Sequence, residues 1–301
     1  MLPAGVDAPS SFETIGHIAH LNLRDEQLPY RHVIGAVLLN KEPHLRTVVN
    51  KLGSIENEYR VFDMAAIAGE PRLETEVTQG GSKFRLDFSK VYWNSRLESE
   101  HLRLVSSLPA AGVLVDMMAG IGPFAVPAAQ RGLTVYANDL NPSSAAYCAL
   151  NARLNRLGSG LRVFNMDGRA FLRLLCDTPG GPAQELRERA AAAGAAALPP
   201  SAPAAAPAAA ADAFLDAFAG AFDPATWHER PLPMVHCYTF KRAAETEADI
   251  LAKAERYLGG PLEPESVSVH TVRDVAPNKL MLCLSFRVPR VVAFRGREHA
   301  A

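Results

Sequence analysis

The sequence lacks an excess of charge of either sign. Its 31 Lys and Arg residues nearly balance 32 Asp and Glu residues, which leaves a formal net charge of −1 at pH 7. A chain with this balance has no global electrostatic attraction to nucleic acid, so any binding of RNA must use a local basic patch. Hydrophobic residues make up 48% of the chain and charged residues 21%, as is typical of a globular protein.

Signals for a metal centre, a disulfide framework and a membrane span are missing as well. The four cysteines are widely spaced, and no pair follows the Cys-x-x-Cys pattern. We therefore expect no bound metal and no disulfide scaffold. No run of about 18 apolar residues suggests a membrane segment. Residues 1–11 lack the basic flank and apolar core of a secretory signal and are not rich in Arg.

A glycine turn follows a strand-like run, but this turn lacks a third glycine. The run Val113–Asp116 is followed at residues 119–124 by Ala-Gly-Ile-Gly-Pro-Phe. A dinucleotide site uses Gly-x-Gly-x-x-Gly, which lets a pyrophosphate sit on the N-terminus of the next helix. Here a bulky Pro-Phe pair stands near the place of the third glycine. This argues against a bound pyrophosphate and for S-adenosylmethionine, a nucleoside cofactor that has none.

The residues of this turn are candidates for holding the cofactor. Gly120 and Gly122 leave room for a ligand to approach the backbone, and Phe124 belongs to the same candidate set. Asp116 ends the strand, at the edge where open α/β sheets bind their ligands. It would orient the turn near the methionine end of the cofactor. The alternative is that Asp116 merely caps the turn.

A second strand-like run, residues 134–137, ends in Asn-Asp-Leu at 138–140. An acid at the end of the second strand can accept hydrogen bonds from both ribose hydroxyls of a nucleoside. Asp139 is therefore the candidate for the ribose contact, and Leu140 would lie against the adenine. A helix cap is the alternative role for Asp139.

The pattern of the chain changes at Gly112. Before it the sequence reads as an α+β module, and after it strands and helices alternate. Such alternation predicts an α/β fold with a mostly parallel central sheet and helices on both faces. The strands are expected at residues 15–23, 47–51, 60–64, 82–88, 113–116, 134–137, 161–164, 234–240, 266–272 and 280–288. The helices are expected at 30–40, 97–108, 123–131, 143–157, 168–175, 212–222 and 245–258.

Residues 190–211 form a segment of low complexity. Of these 22 residues 15 are Ala, and Pro stands at 199, 200, 203 and 207. Such a segment has little to bury and contains repeated helix breakers. We therefore predict a disordered Ala/Pro-rich insertion at 178–211.

Five segments resemble, in the same order, the eukaryotic and archaeal tRNA (guanine-37-N1)-methyltransferases. They are residues 91–101 (Val-Tyr-Trp-Asn-Ser-Arg-Leu-Glu-Ser-Glu-His), the turn at 116–124, 138–142 (Asn-Asp-Leu-Asn-Pro), 167–169 (Asp-Gly-Arg) and 272–279 (Val-Arg-Asp-Val-Ala-Pro-Asn-Lys). The resemblance covers most of the chain outside the insertion.

The resemblance implies a class I, Rossmann-like methyltransferase that moves a methyl group from S-adenosylmethionine to N1 of guanine 37, next to the anticodon of tRNA. A small α+β RNA-binding module, residues 1–96, would precede a methyltransferase domain, residues 97–301. The partner would be the anticodon loop of tRNA, and the protein would be a monomer without membrane attachment. The family occurs in the cytoplasm, the nucleus and the mitochondrial matrix.

The same resemblance implies the catalytic residues. N1 of guanine holds a proton at neutral pH, so methyl transfer needs a base, and negative charge builds toward O6 as that proton leaves. Glu100 would be the base, and the Arg60 guanidinium would stabilise O6. Position in the sequence alone suggests no catalytic role, with Arg60 as a surface charge on a strand and Glu100 as an exposed helix residue.

Further contacts follow from the resemblance. His101 would touch the cofactor together with Arg96, and Asp167 with Gly168 would contact the adenine. A simple turn is the alternative role for Asp167. Arg96 stands four residues before Glu100, so the alternative is that these two side chains simply form a pair along a helix. The candidate RNA contacts are Arg273, Asn278 and Lys279.

One motif of the family is missing. The family has an apolar strand ending in Asn-Leu-Pro just before a Phe-Leu-Asp-Ala-Phe helix. That helix stands at 214–218, but the Ala/Pro segment occupies the place of the strand. An inactive paralogue that binds tRNA or the cofactor therefore stays open. A second alternative is the wybutosine-pathway transferase, which shares the domain pair and moves the aminocarboxypropyl arm of the same cofactor.

Overall fold

A computed structural model describes residues 2–3, 5–53, 59, 61, 63–177, 202–204, 212–227 and 229–297. The strands in this part of the chain are β1 (Glu13–Ile15), β2 (Ile18–Leu21), β3 (Thr47–Leu52), β4 (Asp63–Gly69), β5 (Glu74–Gln79), β6 (Ser82–Asp87), β7 (Val113–Asp116), β8 (Thr134–Asn138), β9 (Leu161–Phe164), β10 (Ala202–Ala204), β11 (Met234–Arg242), β12 (Ser268–Ala276) and β13 (Lys279–Arg287). The α-helices are α1 (Arg31–Lys41), α2 (Glu98–Ser107), α3 (Ala125–Gln130), α4 (Pro142–Leu154), α5 (Gly168–Asp177), α6 (Pro224–Trp227), α7 (Glu247–Leu258) and α8 (Arg290–Ala293).

Strands β1 to β4 form an N-terminal sheet in sequence order. The single strand expected at 15–23 is two strands, because Gly16 adopts a positive φ of 58° and turns the chain back. Helix α1 packs on β3 and β4. Its small core contains Ala19, Leu21, Ile34, Leu45, Val48 and Ile67.

A hairpin of β5 and β6 joins this sheet to the rest of the molecule. The sequence predicted only the second of these strands. The strand expected at 60–64 also lies later than predicted, since β4 begins at Asp63. Residues 60 and 62 are outside the described part of the chain.

The central sheet has the arrangement that the sequence predicts. Strands β7, β8 and β9 are parallel neighbours, and β10 pairs in parallel with β11. Strand β13 is antiparallel to β11, and β12 is antiparallel to β13. Because β10 lies beside β7, the strands run across the molecule in the order β9-β8-β7-β10-β11-β13-β12.

Strand β10 departs from the expected insertion. Residues 202–204, Ala-Pro-Ala, lie within the Ala/Pro segment but pair with residues 235–237 of β11. The gap between β7 and β11 offers a place for one strand, and backbone pairing with β11 needs little from the side chains. The rest of the predicted insertion, 178–201 and 205–211, lies outside the described residues.

Helices cover both faces of this sheet, as parallel strands require. One core packs α2, α3 and α4 against residues such as Leu114, Val135 and Cys283, and it continues into the N-terminal sheet at Ile15 and Ile18. The other packs α5, α7 and the 3-10 helix Asp212–Phe218 against the opposite face. The first core therefore crosses residue 96, where the sequence placed a domain boundary, and that boundary stays a prediction.

No helix in the described residues is both long and apolar enough to cross a lipid bilayer.

Candidate active site

The glycine turn after β7 brings backbone close to the carboxyl edge of the sheet. Gly120 has a φ of 55° and Gly122 a φ of 97°, which is the left-handed region that favours glycine. The amide of Ala119 donates to the carbonyl of Asn138 at 2.7 Å, which ties the turn to the end of β8. The turn is thus fixed between two parallel strands.

Asp139 holds this turn directly. Its Oδ2 accepts from the amide of Gly120 at 2.7 Å, and its Oδ1 accepts from the amide of Asn141 at 2.9 Å. Burial raises the pKa of this carboxyl, and the two amide hydrogen bonds oppose the rise. The cap of α4 is the side chain of Asn141, not that of Asp139. Leu140, the residue beside it, is 45% exposed.

Asp116 is a buried carboxyl without a normal hydrogen bond in the described structure. The residue is 0% exposed, and neither of its oxygens has a partner within hydrogen-bond limits. Burial raises its pKa well above the ordinary value, the nearby amide of Met118 opposes the rise, and Asp139 adds to it. The raised pKa favours the protonated form of this carboxyl, which can donate a hydrogen bond as well as accept one.

The third parallel strand brings Asp167 and Gly168 to the same edge. Oδ1 of Asp167 accepts from the amides of Arg169 and Ala170, both at 3.0 Å, at the start of α5. Asn138 connects the three strands, because its side-chain amide donates to the carbonyls of Met117 and Met166 at 3.1 and 2.9 Å. The structure therefore brings the predicted cofactor residues of β7, β8 and β9 together.

A cleft of about 550 Å³ opens beside the turn. Its walls come from the segment before α2, from α2, from the glycine turn and from β11 and β13. They are Tyr92, Trp93, Asn94, Leu97, Glu100, His101, Met118, Ala119, Gly120, Ile121, Pro123, Phe124, Tyr238 and Met281. Of the predicted site residues, Glu100, His101, Gly120 and Phe124 face this cleft.

His101 lies deep in this wall. Its ring meets that of Phe124 edge-on, with centroids 4.7 Å apart, and Phe124 in turn stacks on Tyr238 at 5.8 Å. Burial lowers the pKa of His101 to about 4, although neighbouring Glu100 works against this. The imidazole is therefore neutral at physiological pH.

Glu100 is buried, contrary to the exposed helix position that its spacing alone suggested. Its side chain is 4% exposed. Arg103 binds both carboxylate oxygens, Nε to Oε2 and Nη2 to Oε1, each at 2.6 Å. The Tyr238 hydroxyl donates to Oε1 at 2.7 Å, and Nε2 of His270 lies 3.5 Å from Oε2. The pairing considered between Arg96 and Glu100 is wrong, since Arg103 is the partner.

Arg96 is exposed and lies outside the cleft. It lines a neighbouring groove of about 1,680 Å³ between the N-terminal module and β12. Arg24, Lys51 and Arg273 line the same groove, as do the acidic Asp7 and Glu13, and we call it the basic groove for its four cationic side chains. The structure thus places two predicted residues, Arg96 and Arg273, on one surface.

The other two candidate RNA contacts lie at the turn between β12 and β13. Asn278 has a positive φ of 61°, and its carbonyl accepts from the amide of Ala243. The Lys279 ammonium lies 4.3 Å from the centre of the Phe240 ring. Both residues therefore have structural partners as well as a surface position.

Three partners of Glu100 were missed by the sequence analysis, namely Arg103, Tyr238 and His270. Arg103 follows Glu100 at a helical spacing that could have revealed it. The other two come from distant strands and gave no signal. Arg60 lies outside the described residues.

Within the described part of the chain, no group of three or more His, Cys, Asp or Glu side chains could hold a metal ion.

Two protein families match the chain. The TRM5/TYW2 methyltransferase domain family matches residues 75–178, and the TYW2 N-terminal domain family matches residues 3–72. Together they cover most of the N-terminal module, the part of the cleft wall before residue 178 and the first three strands of the parallel sheet, whereas Tyr238 and Met281 of the cleft lie outside both matches.

Curated relatives align along the whole chain. The tRNA (guanine(37)-N(1))-methyltransferase of Phytophthora infestans is 46% identical over 301 residues, which is 100% of this chain and 68% of the relative. The enzyme of the same name from Homo sapiens is 42% identical over 297 residues, 99% of this chain and 57% of the relative. The chain thus spans between 57% and 68% of the length of such relatives.

Solved structures share the fold. Trm5b from Pyrococcus abyssi superposes with a TM-score of 0.70 at 25% identity, covering 93% of this chain and 75% of that one. A complex of aTrm5 with tRNALeu gives 0.70 at 22% identity, with 94% and 73% covered. TYW2 from M. jannaschii in complex with AdoMet gives 0.57 at 17% identity, with 92% and 98% covered. The predicted class I methyltransferase fold is confirmed.

Proposed function

The chain belongs to the family of tRNA (guanine(37)-N(1))-methyltransferases, and from that premise we propose that it methylates N1 of guanine 37 in tRNA. The observation that carries the proposal is the buried Glu100 carboxylate, which faces the cleft beside the glycine turn. A carboxylate held in this position can take the N1 proton from a purine that enters the cleft.

The residues of the turn fit S-adenosylmethionine. A Cβ at Gly120 would meet nothing within 4 Å, so the backbone there is open to a ligand. Asp139 has oxygen lone pairs left for ribose hydroxyls after binding two amides, and Asp116 is a buried carboxyl at the same edge of the sheet whose oxygens have no hydrogen-bond partner in the described residues. The TYW2 neighbour from M. jannaschii was solved with this cofactor. When bound, the cofactor supplies a methyl group already activated by its sulfonium.

The residues of the chain supply positioning and proton removal. Arg103 and Tyr238 fix the Glu100 carboxylate so that it meets the substrate in one orientation. Neutral His101 and the Phe124 ring meet edge-on and form part of the cleft wall. Arg60, by its resemblance to the family, would hold O6 as charge develops there.

The basic groove supports tRNA as the substrate. Arg24, Lys51, Arg96 and Arg273 line one surface next to the cleft, and such cations bind phosphates along an RNA backbone. Asn278 and Lys279 lie at the turn of the same strand pair. A solved structure of the same fold is a complex of aTrm5 with tRNALeu. We expect the protein to act as a monomer, and we place it in the cytoplasm, the nucleus or the mitochondrial matrix.

Methylation of unmodified tRNA transcripts tests the proposal. The chain should methylate a transcript with guanine at position 37 and should leave a matched transcript with adenine at 37 unchanged. Mass spectrometry of the digested tRNA should find one methyl group on that guanine. Methylation at another position, or none at all, would overturn the proposal.

A second candidate is the aminocarboxypropyl transferase, because residues 3–72 match the TYW2 N-terminal domain family. The same mass spectra separate the two activities, since the added group would be the larger aminocarboxypropyl arm. The relatives that align with the whole chain carry the methyltransferase name, which favours methylation.

An inactive paralogue is the third candidate. No asparagine stands between Asn165 and Asn278, so the Asn-Leu-Pro motif is absent, although β10 occupies a place beside β11. Calorimetry with S-adenosylmethionine separates this candidate from an active enzyme. Binding of the cofactor without turnover on a guanine-37 transcript would identify a paralogue of this kind.

A further inference from the structure

A row of three side chains crosses the sheet below Glu100. Tyr238 on β11 pairs with Cys283 on β13, and Cys283 pairs with His270 on β12. Directly paired residues point to the same face of a sheet. Tyr238 and His270 therefore reach the Glu100 carboxylate from two sides, at 2.7 and 3.5 Å, with the buried Cys283 between them.

The hydrogen bonds of Glu100 leave one position open. A carboxylate offers about four lone-pair positions, two on each oxygen. Oε1 accepts from both Arg103 and Tyr238, and Oε2 accepts from Arg103. The remaining position is therefore on Oε2, which is the oxygen next to His270. A proton that arrives on Glu100 arrives within reach of this imidazole.

The surroundings of Glu100 favour transfer of that proton to His270. When Glu100 takes up a proton, the half-buried Arg103 guanidinium loses its counter-charge. The His270 side chain is 45% exposed, so it connects the buried carboxylate to bulk water.

We propose that His270 is a relay residue that takes the N1 proton from Glu100 and passes it to solvent. The inference rests on the proposed methyltransferase function. N1 forms a bond to the methyl carbon, the carbon–sulfur bond breaks with its electron pair left on sulfur, and the N1 proton moves to Oε2 of Glu100. It then moves to Nε2 of His270, and the imidazolium returns it to water.

Replacement of His270 tests the relay under multiple-turnover conditions on a guanine-37 transcript, in which Glu100 must lose its proton before each new methyl transfer. His270→Ala and His270→Gln should both lower the methylation rate by about tenfold or more, since a proton acceptor is lost. Cofactor affinity, measured by calorimetry, should not change. His44→Ala is the matched control, because His44 is also an exposed histidine 3.7 Å from a glutamate, Glu42, and its loss should change nothing.

Chemical rescue separates a relay from a structural role. Added imidazole should restore much of the rate of His270→Ala, whereas pyrazole, of similar size but far less basic, should not. Rescue by both compounds, rescue by neither, or an unchanged rate in His270→Ala would overturn the relay. If the unsubstituted chain methylates no tRNA at all, the proposed function itself fails and the relay falls with it.

Discussion

The single carboxylate of Asp139 has two roles. It binds the amides of Gly120 and Asn141, and so it joins the glycine turn to the start of α4. The same oxygens are the candidates for binding the ribose. An acid is needed here because an amide side chain offers only one acceptor oxygen.

Asp139→Asn should therefore weaken cofactor binding strongly. One of the two backbone hydrogen bonds to a charged acceptor is lost, and each is worth about 1.5–3 kcal/mol. We expect the Kd for S-adenosylmethionine, measured by calorimetry, to rise by at least about tenfold. Asp249→Asn is the matched control, since Asp249 also accepts from a backbone amide, in the capping box of α7. An unchanged Kd in Asp139→Asn would refute the assignment.

Tyr238 orients the proposed base while its ring stacks on Phe124. Burial raises the pKa of Tyr238 well above its ordinary value, so the hydroxyl stays a donor. Tyr238→Phe keeps the ring and removes the hydroxyl. We expect the single-turnover rate to fall by about tenfold, equivalent to about 1.4 kcal/mol in the barrier, with an unchanged Kd for the cofactor. Tyr257→Phe, at an exposed tyrosine on α7, should have no effect, and equal rates in both variants would exclude this role.

At the scale of the element, the glycine turn depends on two conformations that other residues rarely adopt. Gly120 has open space around the position of a Cβ. A Cβ on Gly122 would lie 3.1 Å from both Cys148 Sγ and Val126 Cγ2, inside the packed contact of α3 with α4. The two glycines are therefore required for different reasons.

Alanine substitutions should separate these reasons. Gly120→Ala should lower the unfolding free energy by about 1–2 kcal/mol, because a residue with a Cβ is strained in the left-handed conformation. The same substitution should also weaken cofactor binding. Gly158→Ala has the same φ of 55° and the same open space, so it should cost as much without affecting the cofactor. Gly122→Ala should destabilise more than either. Urea unfolding checks the order, and a Gly122→Ala variant as stable as Gly158→Ala would contradict it.

The sequence predicted elements best where hydrophobic runs were short and clearly bounded. Val113–Asp116 and Leu161–Phe164 lie where they were expected, because each is a short, mostly apolar run closed by polar or glycine residues. Strand β10 could not be predicted, since Ala-Pro-Ala has no strand preference of its own. Its place is set by the backbone of β11 and by the neighbouring β7.

At the scale of the whole molecule, the buried His101 and the half-buried His236 link folding to pH. Burial lowers the pKa of His101 and of His236 to about 4, with the charge of Arg103 adding to the effect at His236. In the unfolded chain both would titrate near about 6.5. The unfolded state therefore binds more protons between these values, and stability falls as the pH drops from about 6.5 toward 4.

We expect each of these histidines to contribute up to about 1.4 kcal/mol per pH unit in that window. Asp116 changes the unfolding free energy with pH in the opposite direction, because its pKa is raised. The contribution of the two histidines must therefore be measured by comparing variants with the parent chain. The double variant His101→Gln, His236→Gln should lose less unfolding free energy than the parent chain when the pH falls from about 6.5 to about 4.5. His44→Gln, at an exposed histidine, should keep the parent slope. Equal slopes in parent and double variant would contradict the prediction.

Only those site residues that belong to recognisable motifs could be predicted from the sequence. The strand-end acids Asp116 and Asp139 could be located because parallel strands gather their carboxyl ends on one edge. The surroundings of Glu100 depend instead on the register of β11, β13 and β12, which sets Tyr238 and His270 opposite each other across Cys283. No local pattern in the sequence encodes that register.

The assignment of Glu100 as the base is tested most directly by the single-turnover rate of Glu100→Gln on a guanine-37 transcript. We predict a loss of about 10²-fold or more with unchanged affinity for S-adenosylmethionine. Glu98→Gln, in the same helix, is the control and should keep the parent rate. We expect Arg60→Ala to slow the reaction to a similar extent. A Glu100→Gln variant that methylates at the parent rate would contradict the account.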